Sequence, residues 1–87
     1  MKIKDGYILR EIAGNYVVLP IGEATIDFNG MASLNGTGAF LFGKMSEDTT
    51  EEKLVQELLD TYDIDEETAR RDVANFVEKI KGAGIIE

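Results

Sequence analysis

Cysteine, histidine and tryptophan are absent from these 87 residues, and proline occurs once. Their absence excludes disulfides, thiol nucleophiles, histidine bases and the common Cys/His zinc sites together. A self-sufficient enzyme is therefore not expected, and neither a cofactor nor a metal is called for. Long apolar runs are lacking too: nothing approaches the ~18 consecutive apolar residues of a membrane span. The opening residues, Met1-Lys2-Ile3-Lys4-Asp5-Gly6, run into charge and glycine without the apolar stretch of about 7 to 15 residues found in a signal peptide. A cytoplasmic protein with no membrane partner is the expectation.

Positive charge is scarce as well. Lys and Arg number 9 against 17 Asp and Glu, a formal net charge of −8. The first 45 residues balance, four basic against four acidic, so the whole excess lies in the five basic and thirteen acidic residues that follow. Nucleic-acid affinity comes largely from Lys and Arg neutralising phosphates, so an acidic half-chain argues against a nucleic-acid partner.

What remains is one domain's worth of chain, residues 1–87, with a division of labour along it. Seven of the nine glycines (6, 14, 22, 30, 36, 38 and 43) fall in the first half, at about the spacing of short strands and turns. Residues 7–12 and 16–21 are aromatic, β-branched and aliphatic, and flank Ala13-Gly14-Asn15. They predict a hairpin in which Gly14 and Asn15 take positive φ, with Pro20 ending the second strand or lying on an edge. Residues 30–34 predict a third short strand, and Phe28-Asn29-Gly30-Met31 leaves open a tight local hairpin with residues 24–28.

Three helices should follow. Asn35 caps one over residues 36–45, which carries the apolar block Ala39-Phe40-Leu41-Phe42, with both phenylalanines expected in the core. Thr49, three residues before Glu52, has capping-box spacing and opens a second helix to about residue 62. Its Leu54, Val55, Leu58, Leu59 and Tyr62 share one face. Asp65 caps a third to about residue 81, with Ala69, Val73, Phe76, Val77 and Ile80 as its buried stripe and Gly82 as its stop.

Two chemical patterns fail on inspection. Asp63, Asp65 and Glu67 alternate like the first ligands of a calcium loop, but the sixth position is Thr68 instead of glycine and the twelfth is Ala74 instead of glutamate. Gly36-Thr37-Gly38 precedes a helix without the third glycine of a dinucleotide loop or the lysine of a P-loop. Glu51, Glu52, Glu66 and Glu67 are read as solvated first-turn charges that favour helix N-termini.

Three segments carry a resemblance: Asn15-Tyr16-Val17-Val18-Leu19-Pro20; the stretch from Gly30 through Leu34-Asn35-Gly36-Thr37-Gly38 to Leu41; and Arg71-Asp72-Val73-Ala74-Asn75-Phe76-Val77. With the closing Gly82-Ala83-Gly84-Ile85-Ile86, they resemble the pyrroloquinoline quinone biosynthesis protein D family over nearly the whole chain. Phe42 stands where the family often has tryptophan, and Ser46-Glu47-Asp48 where it often has an Asp-Gly turn. The resemblance implies an α+β fold, a small winged helix-turn-helix with three N-terminal strands and three helices. It also implies a peptide-recognition element that binds the leader of a ribosomally made precursor peptide and presents it to a modifying enzyme, often a radical S-adenosylmethionine (radical SAM) enzyme.

The residues support that role independently. An exposed third strand offers backbone groups on which an extended peptide can add. Met31, Ala32, Ser33 and Leu34 would form this platform, and Asp72, Val73 and Phe76 of the third helix the groove beside it. Such an edge also suits a monomer that dimerises weakly. The alternative is an acidic winged-helix adaptor or regulator acting through protein contacts. Its would-be recognition helix carries Arg70, Arg71, Lys79 and Lys81 against Asp65, Glu66, Glu67, Asp72 and Glu78, a poor face for a DNA groove.

Overall fold

The hairpin forms around a two-residue turn. Strands β1 (Tyr7–Ile12) and β2 (Asn15–Pro20) pair antiparallel from Ile12↔Asn15 to Tyr7↔Pro20. The turn residues are Ala13 at φ 52° and Gly14 at φ 83°, both positive as a type I′ turn requires. Asn15, expected at positive φ, instead begins β2: a two-residue loop suits the right-handed twist of the strands, and it places the left-handed pair one residue earlier. The computed structural model describes residues 1–22 and 32–87. Met31 and the alternative hairpin over 24–28 lie outside the described residues. Strand β3 (Ala32–Leu34) pairs with β2 through Tyr16↔Leu34, Val17↔Ser33 and Val18↔Ala32, giving the order β1-β2-β3.

Alternation of side chains across the pleat puts Tyr7, Leu9, Tyr16, Val18 and Leu34 on one face. All five join one hydrophobic core with the helices. Three helices follow: α1 (Gly36–Lys44), α2 (Glu51–Thr61) and α3 (Glu66–Gly82). Three strands and then three helices make an α+β fold, an order compatible with a winged helix-turn-helix. Leu41 from α1, Leu54 and Leu58 from α2, and Val73 and Ile80 from α3 are almost fully buried against it. Phe40 and Phe42 pack on the rim of this core, partly buried, with the Phe40 ring edge-on to Tyr62 at 5.5 Å.

Each helix start is capped by a side-chain oxygen. Asn35 Oδ1 accepts from the Gly38 N–H at 2.8 Å, and Asp65 Oδ1 from that of Thr68 at 2.8 Å. At α2 the cap is Thr50, whose Oγ1 accepts from the Lys53 N–H at 3.2 Å. The cap thus lies one residue later than the expected Thr49, which makes Lys53 the third helical position, and Glu52 pairs with Arg70 of α3 at 2.7 Å. At the other end α3 runs through Gly82, and the residue in the left-handed region is Gly84 at φ 75°. The Gly84 N–H bonds to Lys81 O and that of Ile85 to Ile80 O, a Schellman motif that turns Ile85 into the core. The stop is thus two residues later than expected, where the motif needs its αL glycine.

The chain ends meet, which nothing in the periodicity announced. Ile3 bridges Ile86, the Lys4 N–H donates to Ile85 O at 2.8 Å, and that of Glu87 to Lys2 O at 2.9 Å.

A candidate peptide groove between β3 and α3

The motif Leu34-Asn35-Gly36-Thr37-Gly38 builds one end of the site. Leu34 ends β3 in the core, and Asn35 caps α1. Gly38 lets helix and strand approach: a Cβ there would stand 3.2 Å from Leu34 Cβ and 3.3 Å from Asn35 Oδ1. Any larger residue would push the cap and the strand apart.

From that corner a groove of about 470 Å³ runs between the β3 edge and α3. Along α3 it is lined by Asp72, Asn75, Phe76 and Lys79, whose three-to-four spacing puts them on one face. The helix therefore carries two adjoining stripes, an apolar one in the core and a polar one along the groove. Phe76 belongs to both and forms an apolar floor beneath the polar rim. Lys79 Nζ crosses the mouth and donates a hydrogen bond to the Ser33 carbonyl.

The residues picked out from the sequence divide as follows. Ser33 and Leu34 line the groove with Asp72 and Phe76 opposite. Ala32 lies in β3 across from Val18, and Met31 is outside the described residues. Val73, 1% exposed, lies in the core and is not among the lining residues. Sequence reasoning passed over Asn75 and Lys79. Both follow Asp72 at helical spacing, so the signal was the periodicity of a polar stripe beside an apolar one.

Outside the groove, charge fastens helix to helix. Arg70 bonds Glu52 across to α2 and Glu66 one turn back, at 2.7 and 3.2 Å. The two carboxylates raise the guanidinium's pKa above its ordinary value, and Arg70 in turn holds Glu52 below the usual carboxylate range. Among the described residues, no group of three or more Asp or Glu side chains could hold a metal ion.

The family described as coenzyme PQQ synthesis protein D (PqqD) matches residues 8–86. The chain belongs to the PqqD family. No curated protein gives a significant match. Two solved structures share the fold of this PqqD chain. TbiB1 in complex with the TbiA(beta) leader peptide is 22% identical, with a TM-score of 0.74 over 100% of this chain and 95% of that one. Lasso peptide synthetase B1 complexed with the leader peptide is 19% identical, with a TM-score of 0.71 over 99% of this chain and 95% of the other.

Proposed function

We propose that this PqqD family member is a non-catalytic peptide-binding protein that takes the leader of a ribosomally made precursor peptide onto the edge of β3. It then presents that leader to a modifying enzyme, a radical SAM enzyme being the partner implied by the family. The observation that carries this reading is the groove. A three-residue edge strand faces an amphipathic helix across a cleft with an apolar floor and a polar rim, an arrangement suited to strand addition. Backbone bonds to residues 32–34 would set register and Phe76 with Leu34 would take an apolar side chain. Asp72 would take a basic or amide group. Both solved relatives are complexes with leader peptides, which agrees with this use of the fold. The role needs no cofactor, metal or nucleic acid, and belongs in the cytoplasm beside peptide synthesis.

The test is to select binders from a displayed random twelve-residue peptide library and titrate one into isotopically labelled protein. Amide shifts at residues 32–34 and along α3 are expected. Shifts confined to the first hairpin would overturn the assignment.

A further inference from the structure

Among the described residues the Lys79 ammonium has one hydrogen-bond partner, and it is a backbone carbonyl. No carboxylate of a described residue forms an ion pair with it, although the chain carries 17 acidic residues. Its acceptor is the Ser33 carbonyl, at the centre of the strand that would receive a peptide. Lysine on an exposed edge is a known device against unwanted strand pairing. Here the same group occupies an acceptor that an added strand would need.

We infer that Lys79 guards the β3 edge in the free protein and selects peptides bearing an acidic side chain, an inference that rests on the strand-addition reading above. When an incoming strand donates its own N–H to Ser33, the ammonium must share or yield that acceptor while still standing at the mouth of the groove. Lys79 is exposed, so water hydrates the freed ammonium, and a carboxylate offers it a charge-assisted bond stronger than the one lost. The acceptor should come from the peptide, since among the described residues the carboxylate lining the groove, Asp72, lies seven residues earlier on α3, about 10.5 Å along the axis. Asp72 also repels an acid at its own end. The acidic residue is thereby assigned to the Lys79 end of the groove, which fixes the register of the peptide as well as its composition. Selection is by contact, not by long-range steering, because the net charge of −8 is screened beyond about a Debye length and repels acidic peptides within it.

The experiment selects the displayed twelve-residue library on the wild type, on Lys79→Met and on Lys79→Glu. The wild-type pool should be enriched in Asp or Glu at one position. Lys79→Met should lose that enrichment, and Lys79→Glu should turn it to Lys or Arg. For one wild-type binder and its amide counterpart (Glu→Gln or Asp→Asn), affinity should differ by about 5- to 20-fold on the wild type and less than about twofold on Lys79→Met. Binders that shift the amides of residues 32–34 yet show no acidic preference, or keep it on Lys79→Met, overturn the role of Lys79 and leave strand addition standing. A library that yields no binder, or only binders that leave residues 32–34 unshifted, overturns strand addition and this inference with it.

Discussion

Two residues illustrate how much hangs on single positions. Ala13 occupies the left-handed region at φ 52°, where a Cβ is crowded against the following carbonyl at a cost of roughly 1–2 kcal/mol. Asparagine tolerates that conformation, and Asn-Gly is the preferred type I′ pair. Ala13→Asn should therefore raise unfolding stability by about 1 kcal/mol in a denaturant titration, with the m-value unchanged; no gain would mean the turn is not strained. Asp72 is different in kind, half-buried on the groove wall and outside the apolar stripe. Asp72→Ala should leave stability nearly untouched and weaken a selected peptide by about 1 to 3 kcal/mol, the range for a hydrogen bond to a charged group. Calorimetry showing equal affinity would remove Asp72 from the site.

At the scale of elements, the decisive features are ends. Asp65 caps α3, and the Thr68 side chain and N–H hold its carboxyl below the usual range, as Arg70 does for Glu52. A pKa depressed on folding means that the ionised form is favoured in the native state. Its contribution is full above the unfolded value, near 3.8 for Asp65 and 4.5 for Glu52, and is lost as pH falls through the lower folded value. Melting temperatures measured from pH 7 to pH 3 should fall most steeply below about pH 4.5. Asp65→Asn keeps a capping oxygen but does not titrate, so its slope should be shallower. An identical slope would exclude the cap as a cause. The same ends explain what could be read from the sequence. Regular periodicity announced β1 as 7–12, both later helical stripes and the Asn35 and Asp65 caps. Thr49 and Thr50 are equivalent by composition, and the hydrogen bond from the Lys53 N–H to Thr50 separates them. Gly82 and Gly84 are likewise both plausible stops until the Schellman bonds are formed. Lys79 reaches Ser33 across 46 residues, and no local pattern encodes that meeting.

At the scale of the whole molecule, a small core and a β3 edge unpaired among the described strands should govern association. A chain of 87 residues buries little more than about 60% of its unfolded surface, so added contacts count for much. The β3 edge can be satisfied by a peptide or by β3 of a second copy, since a two-fold pair of antiparallel strands is self-complementary. Two influences oppose the second outcome: Lys79 already holds the Ser33 carbonyl, and two copies each bring a charge of −8. The balance should favour a monomer at micromolar concentration and a weak dimer at higher concentration, and the dimer should dissolve as a selected peptide fills the edge. Sedimentation velocity across a hundredfold range of concentration, with and without peptide, measures this directly. Lys79→Met removes both the guard and one positive charge, so net repulsion rises while the edge opens; stronger dimerisation in this variant would show that edge access outweighs charge. A tight dimer indifferent to peptide would instead place the self-association surface away from β3, and the edge would then belong to the peptide alone.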